Sequence, residues 1–224
     1  NVPRAVRMAG TLQYDLLGKA LNGVVDRHDV LRTCYGEEGD RIAARIPPAT
    51  DVPIRIFDLT GFDDSGQRHR EELVCIQREA QYQFDLRNEI PLRVAILRLC
   101  ADEHILLVTT HHIAADCWSM GLPFQALLDD DDPWHYGVFF SDLMNFYDQL
   151  AGTGAPVLSE SNLRFADIFA TSSQSASLQD FATALQFWKR YLQGASQAIH
   201  LPTDGTMRVE NPWSGKRVPF AIDT

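Results

Sequence analysis

The sequence predicts an α/β fold, in which a mixed β-sheet packs against helices in a two-layer sandwich. Apolar residues make up 45% of the 224 residues, which is enough for a sizeable core. Apolar positions repeat at helical spacing in some segments and at strand spacing in others, without strict alternation of strand and helix. Strict alternation is typical of a doubly wound sheet, so this pattern favours the sandwich.

The first part of the chain supplies short strands around two helices. Apolar residues from Leu12 to Val25 follow helical spacing, with Thr11 as the expected N-cap. A second helix is expected from about 66 to 83, where Leu73, Ile76 and Ala80 share one face. Strands are expected at Val2 to Met8, at Val30 to Tyr35 and Arg41 to Ile46 across the turn "GEEGD", and at Ile54 to Phe57.

The strongest strand pair comes next, and the rest of the chain is mainly helical. "LRVAILRLC" and "HILLVTTHH" are joined by a tight turn at residues 101–103, and the second run is apolar on both faces, which predicts a central strand. Further helices are expected at 138–150 and at Leu178 to Leu192, the latter with Ser177 as N-cap and Gly194 at its C-terminal end. We expect residues 151–164 to form a loop and 209–223 to be extended.

Composition excludes several classes of function. The formal charge of −10 and the lack of a Lys/Arg run argue against nucleic-acid binding. The four cysteines are widely spaced, which disfavours a zinc or redox motif and fits a reducing, cytoplasmic setting. No segment reaches the ~18 apolar residues of a membrane helix. The N-terminus resembles a strand rather than a signal peptide, and it begins without Met, as a piece of a longer chain would.

The stretch "THHIAADCWSMG", residues 110–121, carries the candidate chemistry. Neighbouring side chains of a strand point to opposite faces, so His111 and His112 are expected to differ, one reactive and the other supporting. Three interpretations remain open: two buried or edge histidines without chemistry, a metal site shared by His112 and Asp116, and a histidine general base. The metal site is disfavoured because a third ligand is lacking nearby. A buried Asp116 would need a cation to stay ionised, and Arg27 and Arg32 are the candidates.

Several motifs together resemble the condensation domains of nonribosomal peptide synthetases. "THHIAADCWS" resembles the HHxxxDG core motif of that family, and "RHDVLRTCY" at 27–35 resembles its RHExLRTxF motif. The segments "NVPRAVRMAG", "FDLRNEIPLRVAILRL", "LRFADIFA", "FWKRYLQGA" and "LPTD" are similar to further family segments and occur in the family's order. The resemblance runs from end to end.

The resemblance implies a fold, a reaction and partners. The family has two lobes, each like chloramphenicol acetyltransferase, around a tunnel, and residues 1–224 would be an N-terminal lobe whose C-terminal lobe is absent. Donor and acceptor carrier proteins would deliver thioesters on phosphopantetheine arms, and peptide-bond formation would follow. We therefore expect no directly bound cofactor, and as partners the carrier proteins, the missing lobe or an adenylation domain, but neither nucleic acid nor membrane.

Carried over by motif, the residues at 110–121 acquire roles. His112 would be the base or the group that positions the amine, and His111 would support it. Asp116 would be structural, in a salt bridge with Arg32, or alternatively with Arg27.

Two departures from the family pattern bear on activity. Cys117 replaces the motif glycine, and with Trp118 and Ser119 it is expected to line the substrate tunnel, which a side chain there would narrow. Residues 122–136 look like an inserted loop, whose four consecutive aspartates would repel one another and make a poor metal cage.

Other functions stay open beside peptide-bond formation. A stand-alone acyltransferase using coenzyme A fits the length, although that family places its HHxxxDG motif near the C-terminus. An epimerization domain shares the motif, but the "DCWS" context looks more like condensation. A non-catalytic isolated lobe would expose an apolar face meant for its partner and would associate through it.

Overall fold

A computed structural model describes residues 1–49, 51–121, 137–153, 164, 167 and 178–196. The chain divides into two compact units, residues 1–173 and 174–224, which are described separately. The predictions for residues 122–136, Ser177 and 209–223 lie outside the described ranges, as does most of the loop predicted at 151–164.

A four-stranded mixed sheet forms the centre of the first unit. Its strands are β1 (Val2–Ala9), β6 (Glu103–Thr110), β5 (Leu92–Arg98) and β4 (Ile54–Asp58), in that spatial order. β4 runs parallel to β5, whereas the other pairs are antiparallel. β6 is an interior strand, as its apolar run predicted, and every residue from His104 to Thr110 is buried. A hairpin of β2 (Cys34–Glu38) and β3 (Arg41–Arg45) forms a separate two-stranded sheet.

Helices cover both faces of the four-stranded sheet, so the described part of the first unit has three layers, whereas the sequence predicted two. α1 (Tyr14–Arg27) and α3 (Gly137–Ala151) pack on one face, in a cluster that includes Leu21, Ile96 and Val108. α2 (Ser65–Ala80) covers the other face through a smaller cluster that includes Cys75, Leu97 and Leu107. Residues of β5 and β6 alternate between the two clusters, because successive strand side chains point to opposite faces.

Several element boundaries differ from the sequence expectation, and two of the differences have a clear structural cause. α1 begins at Tyr14, after Gln13 rather than Thr11, and Gln13 makes no side-chain cap; its backbone N–H donates to Tyr147 Oη at 3.2 Å, so a tertiary contact fixes the helix start. The strand expected from Val30 begins only at Cys34, because residues 29–32 form a 3₁₀ turn. Thr33 Oγ1 donates to the carbonyl of Asp29 at 2.8 Å and stabilises that turn.

The second unit contributes one described helix, α4 (Leu178–Tyr191). Gly194 lies just beyond it at φ 82°, which agrees with the predicted glycine C-terminal signal. Phe187, Trp188 and Tyr191 contact one another on this helix.

Candidate active site

Both histidines lie just beyond the end of β6, at the start of the loop 111–121, called here the histidine loop. β6 ends at Thr110, and the backbone N–H of His111 donates to the carbonyl of Pro91 at 3.0 Å. His111 is half-buried, whereas His112 is exposed. The imidazole of His112 therefore faces solvent, whereas His111 is held by contacts with the rest of the protein.

Backbone and aromatic contacts orient the ring of His111. Its Nδ1 accepts a hydrogen bond from the backbone N–H of Ile113 at 3.1 Å, so a neutral ring carries its proton on Nε2. The ring meets Phe84 edge-on at 6.0 Å between centroids. Burial, with a further contribution from neighbouring His112, lowers the pKa of His111 below its usual value of 6.5.

The aromatic contact to His111 is itself anchored. Phe84 meets Tyr82 edge-on at 5.2 Å between centroids, and the Arg93 guanidinium lies 3.4 Å from the centre of the Tyr82 ring. Arg93 also faces the buried carboxylate of Glu79 at 3.5 Å. A cation over an aromatic face is attractive, so these contacts hold Tyr82 and, through it, the Phe84 ring that contacts His111.

Asp116 stabilises the turn that follows the histidines. Its Oδ1 accepts hydrogen bonds from both the backbone N–H and the Oγ of Ser119, each at 2.8 Å. Asp116 is exposed, and these Ser119 bonds lower the pKa of its carboxyl. A carboxylate that accepts local hydrogen bonds is favoured in its ionised form, so Asp116 stays charged without a buried cation.

The salt bridge predicted for Asp116 is therefore corrected. Within the described part of the chain, neither Arg32 nor Arg27 forms an ion pair with Asp116. Arg32 is buried and its Nη1 donates to the carbonyl of Pro47 at 2.6 Å. The prediction assumed a buried carboxylate, but the turn leaves Asp116 in water, where Ser119 satisfies it.

Arg27 instead belongs to a cluster around Asp142 of α3. The Nε of Arg27 lies 3.0 Å from Asp142 Oδ2, and the Nε2 of His28 lies 2.6 Å from the same oxygen. Asp142 is 8% exposed, so this cluster ties the end of α1 to α3. Sequence reasoning missed Asp142, although a carboxylate on an otherwise apolar helix face is a usable signal.

The three residues expected to line a tunnel follow Asp116 directly. Cys117 and Trp118 are exposed, Trp118 by 74%, and Ser119 is half-buried. Met120, the next residue, is 1% exposed and enters the core, while its backbone N–H donates to the carbonyl of Asp116 at 3.1 Å. The side chain that replaces the motif glycine thus faces solvent on the same short turn as Trp118.

Tight backbone contacts fix the end of the histidine loop. The backbone N–H of Phe139 on α3 donates to the carbonyl of Ser119 at 3.0 Å. A Cβ on Gly137 would lie 2.8 Å from the Cα of Gly121, so only glycine fits there. Arg4 of β1 donates to the Gly121 carbonyl from Nε at 3.1 Å and from Nη2 at 2.6 Å. Sequence reasoning missed Gly137 and Arg4.

The comparisons with known proteins identify the family. The condensation domain family model matches residues 1–129, more than half of the chain. This chain belongs to the condensation domain family. Among its curated relatives, a linear gramicidin synthase of Brevibacillus parabrevis is 29% identical over 91% of this chain. Cyclosporin synthetase of Tolypocladium inflatum is 32% identical over 88% of it.

Solved structures confirm the chloramphenicol acetyltransferase-like α/β fold class. The SgcC5 protein of Streptomyces globisporus superposes with a TM-score of 0.68 at 29% identity and covers 91% of this chain. The X-domain from teicoplanin biosynthesis gives a TM-score of 0.70 at 27% identity over 92%. The chain spans about 4% of the gramicidin synthase and about 42% of the SgcC5 chain, so this condensation-domain chain is much shorter than the proteins it matches.

Other features of this condensation-domain chain bear on cofactors. Among the described residues no group of three or more His, Cys, Asp or Glu side chains could hold a metal ion. All four cysteines are free thiols. A cavity of about 290 Å³ lies at the β2–β3 hairpin, lined by residues that include Cys34, Arg45 and Arg87 but neither histidine of the loop. A separate finding concerns membranes: no helix in the described ranges has both the length and the apolar character that are needed to span a bilayer.

Proposed function

We propose that the chain is the N-terminal lobe of a condensation domain that forms peptide bonds between carrier-bound thioesters. The observation that supports this most directly is the pairing of an exposed His112 with a half-buried, hydrogen-bonded His111 at the end of the central strand. Donor and acceptor carrier proteins would present their substrates on phosphopantetheine arms. The C-terminal lobe and an adenylation domain would be supplied from outside these 224 residues.

In the proposed reaction His112 serves the attacking amine. The amine nitrogen forms a bond to the thioester carbonyl carbon, the carbon–sulfur bond breaks, and the thiolate of the donor arm leaves and takes up a proton. An exposed imidazole can accept the amine proton or hold the amine in line by a hydrogen bond. His111 cannot use Nδ1 in this way, because Ile113 already donates to it, and it supports the loop instead.

Asp116 is a structural residue in this proposal. It holds the turn that follows His112 through Ser119, and the proposal gives it no part in the chemical step. Arg27 and Arg32 likewise act on packing, through Asp142 and Pro47 respectively. Cys117, Trp118 and Ser119 would contact the substrate arm, since the first two are exposed beside the histidines in the chain.

The test compares histidine variants for product on loaded carrier proteins. His112→Ala should abolish the dipeptidyl product while thermal unfolding is unchanged, since the exposed ring contributes little to packing. His111→Ala should lower both stability and product. His69→Ala on α2 is the control for loss of an exposed imidazole outside the histidine loop; its side chain is 66% exposed, and its Nδ1 lies 3.4 Å from Glu72, so a small loss of stability is expected without loss of product. Normal product from folded His112→Ala protein would contradict the proposal.

Two alternative enzymatic activities of this chain can be distinguished from peptide-bond formation by simple assays. A stand-alone acyltransferase would transfer an acyl group from coenzyme A to a small amine or hydroxyl without a carrier protein. An epimerization domain would invert the α-carbon of a carrier-bound residue, which chiral analysis of the released amino acid detects.

A non-catalytic binding lobe is the second candidate, and Cys117 favours it. An exposed thiol occupies the position of the motif glycine, where a side chain would reduce the space for a substrate arm. One similar solved structure is a complex of the teicoplanin X-domain with OxyB, in which a related domain binds another protein. If Cys117→Gly gives product where the parent chain gives none, the cysteine blocks catalysis. If neither gives product even when the C-terminal lobe is supplied, and the chain still binds a loaded carrier protein, the binding function is supported.

A further inference from the structure

We propose that Arg4 is a positioning residue, which holds the C-terminal end of the histidine loop and thereby places His112. The effect on catalysis rests on the function proposed above, whereas the effect on the loop does not. The proposal stands on the place of Arg4 in β1 and on the atoms to which it donates.

Arg4 occupies the core-facing side of β1. Val2, Val6 and Met8 belong to or pack against the main hydrophobic cluster, and strand alternation puts position 4 on the same face. A cation on an apolar face is costly unless hydrogen bonds compensate for lost water. A purely structural strand would carry an apolar residue here, so the arginine calls for a specific partner.

The partner is the backbone at the end of the histidine loop. Nε and Nη2 of Arg4 both donate to the carbonyl oxygen of Gly121, at 3.1 and 2.6 Å, and Nη1 donates to the carbonyl of Pro3 at 2.9 Å. Bonds from a charged donor are stronger than neutral ones. A lysine has one ammonium and no rigid fork, so it cannot reproduce this geometry.

β1 thereby holds both ends of the histidine loop. Val2 is the register partner of Thr110, the residue before His111, and Thr110 Oγ1 donates to the Val2 carbonyl at 3.5 Å. Two positions further along the same strand, Arg4 binds Gly121. The loop therefore leaves the sheet and returns to it beside one short piece of β1, and the placement of His112 depends on both attachments.

The first experiment measures the loop itself. In Arg4→Leu, which suits the apolar face, we expect amide hydrogen exchange of residues 113–121 to accelerate by roughly tenfold, because one charge-assisted anchor is lost. Exchange in α1 should stay unchanged. Arg4→Lys should show an intermediate effect. It keeps the test decisive if the leucine variant fails to fold. Arg41→Gln, at an exposed position of the hairpin, is the control. Unchanged loop exchange in both Arg4 variants would overturn the anchoring.

The second experiment measures the consequence for His112. In the carrier-protein assay Arg4→Leu should lower kcat by roughly ten- to a hundredfold with little change in KM, because orientation is lost rather than binding. Addition of methylguanidinium to Arg4→Ala should restore part of the rate. A variant with accelerated loop exchange but normal kcat would overturn the positioning role. If His112→Ala retains activity, the proposed function fails, yet the exchange data still decide the anchoring.

Discussion

Gly121 and Gly137 are in direct backbone contact, although residues 122–136 separate them in the chain. A Cβ on Gly137 would lie 2.8 Å from both the Gly121 Cα and the Met120 carbonyl carbon, and closer still to the Gly121 nitrogen. The end of the histidine loop and the first turn of α3 are therefore fitted together without space for a side chain.

Gly137→Ala should be among the most destabilising single changes in the chain. It combines positive φ, 66°, with a clash against rigid backbone, and we expect a cost of about 3 kcal/mol or more. Gly152→Ala is the matched control, since its φ is 74° but a Cβ there would meet nothing within 4 Å. That variant should lose only about 1 kcal/mol. Urea unfolding measures both, and equal losses would contradict the close-packed contact.

Excision of residues 122–136 should leave a folded chain, because the two flanking glycines already touch. We expect a variant that joins Gly121 to Gly137 directly, or through two glycines, to keep cooperative unfolding and the parent circular dichroism. The same variants in the carrier-protein assay show whether the insertion contributes to activity. Loss of cooperative unfolding with both joins would mean that the insertion is part of the fold.

Asp142→Asn should weaken the packing of α1 on α3. The change removes the negative charge that faces Arg27 and His28, and we expect a loss of about 2 to 3 kcal/mol. Asp26→Asn, at an exposed position of α1, is the control and should change stability by less than about 0.5 kcal/mol. Chemical denaturation measures the stability of both variants. Equal stability of Asp142→Asn and the parent chain would mean that the cluster does not stabilise the fold.

Asp116→Asn should affect stability only modestly, since the carboxylate is exposed and its partner is local. We expect a loss of about 1 kcal/mol, against the roughly 3–5 kcal/mol that a broken buried ion pair costs. Ser119→Ala should remove much of the same energy, and the double variant should show that the two losses are not additive. A loss of several kcal/mol from Asp116→Asn alone would contradict this account and indicate that Asp116 has a buried cationic partner.

His111 should make stability depend on pH near neutrality. Burial lowers its pKa in the folded protein, so the unfolded chain binds more protons between the folded pKa and the ordinary value of 6.5. Stability should therefore fall as pH decreases through about 6.5. His111→Gln should show a flatter pH dependence of stability than the parent chain in urea titrations. An unchanged slope in His111→Gln would contradict the assignment.

Local patterns predicted much of the fold. The apolar run in β6 indicated an interior strand because burial on both faces leaves a direct mark on composition. The pairing of Asp116 with an arginine was wrong because it depended on burial, which only the three-dimensional path of the turn decides. Arg4 and Gly137 were missed because both contact Gly121, which is far from Arg4 in the sequence and separated from Gly137 by residues 122–136. The arginine on the apolar face of β1 was nevertheless visible in the sequence.

The pairing of β1 with β6 also governs when the site can form. Val2 and Thr110 are register partners although they lie 108 positions apart. Closing so long a chain segment is entropically slow, so the strand pair that frames the histidines is expected to assemble after the local helices and hairpin. Until β6 has been synthesised, β1 lacks the strand with which it pairs in the described sheet, and the ribosome completes about half of the 224 residues before His112 can take its place.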